Sequence, residues 1–186
     1  MAAYHHGNLR DAILSAAASA IARDGVGALS LRAIAAEIGV SHTAFRRHFG
    51  SREGVLNALA VQGNRWLADE LSAAASIGDV LDVGVAYVRF ALEHPGHFTV
   101  MFRTDLLDNG DPELIAARAA AIAPLRDGVR AQGSADPAAA EVAAWGLVHG
   151  VAALALGGAL QPGGGPASDA DAQGLARRAL ALLSTT

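Results

Sequence analysis

Four side chains able to read or grip a polyanion, His42, Thr43, Arg46 and Arg47, fall in the short stretch between Ser41 and Phe49. On a helix, residues three and four apart are neighbours, so these four can gather around an apolar side built by Val40, Ala44 and Phe49. A guanidinium so placed can make a bidentate fork to guanine or a charge-assisted bond to phosphate, and Thr43 can offer a hydroxyl or a methyl contact. An ordinary solvated helix face carries the same residue types. The pattern therefore depends on the elements that hold it.

Those elements are legible on both sides. Leu9, Ile13, Ala17, Ala20 and Ile21 recur at helical spacing, and Gly25 stops this first helix after Asp24. Ser30 can cap a short second helix with Leu31, Ile34, Ala35 and Ile38 on one stripe, ended by Gly39, and Ser41 can cap the third. Two short helices joined by Gly39-Val40-Ser41, with Ile34, Ile38 and Val40 set against Phe49, have helix-turn-helix spacing. Gly50 ends the third helix, Ser51 caps a fourth with Glu53 in its first turn, and Val55, Leu56, Leu59, Trp66, Leu67 and Leu71 extend the core along it.

Composition agrees with an all-α chain. Its 186 residues are 52% hydrophobic, rich in Ala and Leu and poor in aromatics, which favours helices. Beyond Gly78 the pattern predicts helices over 79–93, from Pro95, from Pro112, over 137–160 and over 168–183, with 161–167 a Gly- and Pro-rich loop. The net charge of −4 conceals two regions of opposite sign. Residues 1–66 hold seven Arg against four acids, a charge of +3, while residues 67–186 hold seven Arg against fourteen acids, a charge of −7. Only the N-terminal part is suited to meet nucleic acid.

Other chemistries find little support. Cysteine is absent, which excludes disulfides and thiolate chemistry, and a cytoplasmic setting is expected. No hydrolase elbow, zinc-protease helix or dinucleotide fingerprint occurs, so no catalytic residue and no cofactor are expected. His94 and His97 flank Pro95-Gly96, but only Glu93 joins them at ligand spacing, and no metal site is expected. The uncharged run 142–160 has the length of a membrane span, yet it contains four Gly and His149 and lacks a flanking basic cluster. It is read as a buried bundle helix.

The residues of the N-terminal part also resemble a known family. Ser30-Leu31-Arg32-Ala33-Ile34-Ala35, then Ile38-Gly39-Val40-Ser41, then Arg47-His48-Phe49 with Ser51-Arg52-Glu53 and Leu56 are similar to the TetR-type DNA-binding domain. The opening Tyr4-His5-His6-Gly7-Asn8-Leu9-Arg10 resembles one branch of that family. The run Trp145-Gly146-Leu147-Val148-His149-Gly150 resembles its C-terminal domain. The resemblance implies a homodimer of about nine helices per chain. A helix-turn-helix head over residues 1–66 would bind double-stranded operator DNA, and a helical bundle over 67–186 would hold an effector and dimerise.

Carried onto this chain, the DNA-binding set is Ser30, Arg32, Ser41, His42, Thr43, Arg46, Arg47, His48 and Arg52. One position departs from the family. Arg46, preceded by Phe45, stands where a Tyr is usual, so it either replaces a tyrosyl phosphate contact or reads a base. Ser30 and Ser41 can cap, touch phosphate, or both. In the acidic half, Tyr87, Phe90, Phe98, Met101, Phe102, Trp145 and His149 are candidates to enclose an apolar small-molecule effector. Gly146, Gly150, Ala153 and Gly157 form a small-residue stripe where another helix, such as that of the dimer mate, can approach closely.

The function expected is a ligand-responsive repressor released from a palindromic operator, with no membrane association. The alternative is a helical small-molecule-binding or scaffold protein whose helix-turn-helix no longer reads DNA.

Overall fold

The computed structural model describes residues 6–161 and 168–183, with residues 6–8, 42 and 44 described by backbone alone. The Tyr4-His5 opening and most of the predicted 161–167 loop lie outside the described residues. Every described element is helical: α1 His6–Asp24, α2 Leu31–Glu37, α3 His42–Phe49, α4 Arg52–Ile77, α5 Val80–Glu93, α6 Pro95–Met101, α7 Pro112–Ala131, α8 Pro137–Leu156 and α9 Asp169–Leu183. Two single 3-10 turns, Val26–Ala28 and Thr104–Leu106, were not foreseen from periodicity, being too short to show one.

Local chemistry sets the boundaries. Ser30 Oγ accepts from Ala33 N at 3.3 Å, Ser51 Oγ from Gly54 N at 3.2 Å and Asp136 Oδ1 from Ala139 N at 3.0 Å, each satisfying a donor that a helix start leaves open. Pro95, Pro112 and Pro137 each open a helix, where a missing N–H costs nothing. Pro124 sits inside α7 and removes one rung of its ladder. Gly39, with φ +71°, turns the chain between α2 and α3 in a conformation that side chains rarely adopt.

Packing divides the chain into two compact units, Met1–Gly63 with His94–Ile115, and Asn64–Glu93 with Ala116–Thr186. In the first, Ile13, Leu14, Ala17, Ile21, Ile34, Phe45, Leu56 and Leu59 form the core, all at most 2% exposed. Each of the larger side chains among them contributes about 1.5–3 kcal/mol by leaving water. The unit includes α6, which packs on α1 so closely that a Cβ at Gly96 would lie 2.1 Å from the Ala18 carbonyl oxygen. In the second unit α5 packs against α8 and α9, with Tyr87, Val88, Phe90, Val148, Ala152, Ala172 and Ala176 buried.

Three sequence expectations need correction. Trp66 is 37% exposed and lies outside the core that Leu67 and Leu71 join on the same helix. The buried aromatic of the helix-turn-helix is Phe45, at 1%, while Phe49 is half-buried; it is the residue before Arg46 that points inward. Finally, α8 ends at Leu156, where Gly157 and Gly158 follow, and it is not buried all round. Only Ala144, Val148, Val151, Ala152 and Ala155 of this helix are buried, and Val142 is 67% and Leu154 48% exposed. It is the one helix among the described residues long and apolar enough to cross a membrane, by length and composition alone.

Among the described residues of the first unit, the polar residue that is buried as a whole is a histidine. His97, on α6, is 5% exposed, and its Nε2–H donates to Gln62 Oε1 at 3.0 Å. Burial, helped by the neighbouring His94, lowers its pKa from 6.5 to about 4. Between those values the unfolded chain takes up a proton that the folded chain refuses, so folding stability falls as pH falls through the window. Above pH 6.5 the group contributes no pH dependence. We expect a slope of up to about 1.4 kcal/mol per pH unit from this residue, absent in His97→Gln. Urea unfolding of both proteins from pH 7 to pH 4 measures it, and parallel profiles would contradict the assignment.

Candidate DNA interface and effector region

The N-terminal site is built by three helices. α2 buries Ile34 and Ala35, Gly39 turns the chain, and α3 anchors through Phe45 so that Thr43, Arg46 and Arg47 are exposed. Among the described residues neither Arg46 nor Arg47 is in an ion pair. Their full donor sets face outward. Arg32 and Ser41 are exposed as well, His48 is half-buried with its ring 6.3 Å from that of Phe49, and the side chain of His42 lies outside the described set. Ser30 is exposed and serves as the cap of α2.

Arg52 is the member whose local role is most changed. Its Nη2 donates to the Val26 carbonyl at 2.5 Å, tying the start of α4 to the turn after α1. Nothing in the spacing of the sequence indicated this bond, because its partner is a main-chain oxygen 26 residues away. At the other end of α3, Gly54 of α4 approaches so closely that a Cβ there would lie 2.0 Å from the Phe49 carbonyl oxygen. The reading helix is thus fixed by Phe45 inside and by α4 at its end.

The candidate effector residues fall into two groups. Tyr87, Phe90, Trp145 and His149 belong to the second unit, whereas Phe98, Met101 and Phe102 belong to the first. In the second unit Trp145 Nε1–H donates to Tyr87 Oη at 3.4 Å, and Tyr87 Oη lies 3.0 Å from His149 Nδ1. With its oxygen accepting from Trp145, the phenol proton is placed to go to His149 Nδ1, which puts the proton of a neutral imidazole on Nε2. Burial pushes the Tyr87 pKa up and lowers that of His149, so both stay neutral at pH 7. Phe90 is fully buried. In the first unit the rings of Phe98 and Phe102 stack edge-on at 5.0 Å, and Met101 packs where a Cβ on Gly63 would meet its sulfur at 2.7 Å.

The second unit also opens a groove of about 880 Å³ between the end of α4, the start of α5 and the second half of α7. Val80, Val83, Ala120 and Pro124 line it together with Asp79 and Asp127. None of the seven candidate effector residues lines it. Its apolar wall is mostly alanine and valine, residue types too common in this chain to mark a cavity.

A short helix with two outward arginines, seated by a glycine turn on a three-helix core, defines a helix-turn-helix protein. Comparison with known families agrees at both ends of the chain. Residues 13–59 match the domain described as bacterial regulatory proteins, tetR family, and residues 80–183 match the tetracyclin repressor-like C-terminal domain. The chain belongs to the TetR family of transcriptional regulators.

Solved structures agree with the fold. A protein of unknown function from Rhodococcus sp. RHA1 is 30% identical, with a TM-score of 0.79 over 100% of this chain and 98% of that one. The TetR-family transcriptional regulator PfmR from Thermus thermophilus is 24% identical, with a TM-score of 0.73 over 93% and 97%. A TetR-family transcriptional regulator from Bordetella parapertussis is 22% identical, with a TM-score of 0.70 over 96% and 95%. A search of curated proteins finds no match.

Proposed function

We propose that this regulator acts as a homodimer that occupies a palindromic operator and is released by a small apolar effector. The observation that carries the reading is the exposed, acid-free Arg46 and Arg47 pair on a helix fixed by Phe45. Residues 1–66 are proposed as the operator-binding part and residues 67–186 as the part that binds effector and dimerises. Ser30, Arg32, Ser41, His42, Thr43, Arg46, Arg47, His48 and Arg52 are the proposed DNA contacts, with Arg52 dividing its donors between Val26 and phosphate. Two recognition helices about one DNA turn apart would read the half-sites.

Effector contact is assigned to Tyr87, Phe90, Phe98, Met101, Phe102, Trp145 and His149. Support comes from the Trp145, Tyr87 and His149 hydrogen bonds, which hold a half-buried imidazole beside two aromatic rings. The run Trp145 to Gly150 supports placing the chain in the branch of the family that carries this pattern. A cytoplasmic regulator without catalytic activity, cofactor, metal or membrane association fits these assignments. An effector that fits better when the heads are splayed lowers operator affinity, and operator lowers effector affinity by the same factor.

Selection of bound sequences from a random DNA library, using wild type, Arg46→Ala and Arg47→Ala, tests the reading. The expected result is a palindromic motif for wild type and a loss or change of preference at the same base positions in the variants, each lost bidentate contact costing about 1–3 kcal/mol. No enrichment even at low salt would favour instead a small-molecule-binding or scaffold protein whose helix-turn-helix does not read DNA.

A further inference from the structure

We propose that Arg10 is a phosphate-contact residue of the DNA-binding head, restrained for that role by the ring it lies over; this rests on the operator-binding reading above. Arg10 lies on the exposed side of α1, with its guanidinium carbon 5.6 Å from the centre of the Phe49 ring. That is within cation–π range, about 6 Å. A cation–π contact restrains a guanidinium while its five N–H donors remain for other partners. Among the described residues Arg10 is in no ion pair, so no carboxylate consumes those donors.

Its placement supplies the rest of the argument. Phe49 is the last residue of α3, its ring 5.8 Å from that of the anchor Phe45, and its carbonyl is held against Gly54. The stack therefore sets a cation from α1 at the C-terminal end of the helix that carries Arg46 and Arg47. A recognition helix that enters the major groove has phosphate strands at its flanks, and groups there position the protein without reading sequence. Arg10 has the donor geometry for that contact, and the Phe49 ring restricts the rotamers it would otherwise lose on binding DNA.

The test is a salt titration of operator affinity, using the sequence recovered by selection and anisotropy from about 50 to about 200 mM salt. Arg10→Gln is expected to make the slope of log affinity against log salt shallower by about one per subunit and to weaken binding roughly tenfold at low salt, with the selected motif unchanged. Arg10→Lys is expected to restore the slope, since it keeps the charge. A wild-type slope in Arg10→Gln, whether or not affinity falls, would overturn the phosphate contact and leave only a packing role for the stack. A changed motif would overturn it in favour of base reading. Wild type without salt-dependent binding to any DNA would overturn the operator-binding reading itself, and this proposal with it.

Discussion

Gly54→Ala is expected to lower the thermal midpoint and to cost operator affinity about a hundredfold or more. Helix propensity alone argues the reverse, because Ala inside a helix is about 1 kcal/mol better than Gly. The deciding quantity is the distance from an added Cβ to its neighbours: 2.0 Å to the Phe49 carbonyl oxygen and 3.1 Å to its carbonyl carbon. Both are main-chain atoms, so no rotamer change relieves the overlap. Either α4 or the end of α3 must move, at an overpacking cost of typically about 1–3 kcal/mol. A displaced α3 carries Arg46 and Arg47 with it, and two base contacts worth about 1–3 kcal/mol each give the expected loss. Circular dichroism melting and anisotropy on the selected operator measure the two effects. A raised midpoint with unchanged affinity would show that the two helices are further apart than this packing requires.

That close approach illustrates where the sequence stops being informative. Most helix starts were legible because they are local: Ser30 and Ser51 cap, the prolines open helices, and Gly39 turns the chain, whereas the end of α8 came four residues earlier than its apolar run suggested. Composition and hydrophobic spacing likewise sufficed for an all-α chain, and the exposed Thr43, Arg46 and Arg47 followed from the spacing of α3. Nothing local distinguishes Phe45 from Phe49 as the anchor, because both lie near the apolar side of a two-turn helix. The first-turn bond from Arg52 to Val26, the Gly96 contact with Ala18 and the cation at Phe49 are all encounters between separate helices. Trp66 failed for a related reason. A long helix winds its apolar stripe past the edge of one core, and periodicity does not say where that core ends. For the effector residues, sequence identified apolar and polar types, but only packing separated Tyr87, Trp145 and His149 from the Phe98 and Phe102 pair.

Gly146→Arg is expected to convert the homodimer to a monomer and to reduce operator affinity by roughly 10²–10⁴-fold, while leaving the folded protomer intact. The argument begins with α8, whose most apolar window has a mean hydropathy of 1.6 but is only 28% buried within its own chain. A helix this apolar is rarely left facing water, and an exposed patch of this kind marks a contact surface. Gly146 lies near the middle of the open side, where Gly150 and Ala153 keep the surface low and Val142 and Leu154 flank it. A Cβ at either glycine would meet nothing within 4 Å, so the single chain has room for a side chain that a closely packed second copy would not. In the isolated protomer Arg is the better helix former by close to 1 kcal/mol, so folding should not suffer. Across a dimer contact the same guanidinium would be buried without a partner, a loss of several kcal/mol. With the two heads no longer joined, the second half-site is no longer bound at high effective concentration, and most of the operator affinity goes with it. Sedimentation velocity and anisotropy on a full palindrome check both parts. A variant that stays dimeric would move the self-association surface away from this side of α8, and a monomer that binds the full palindrome as tightly as wild type would remove the need for a dimer in operator recognition.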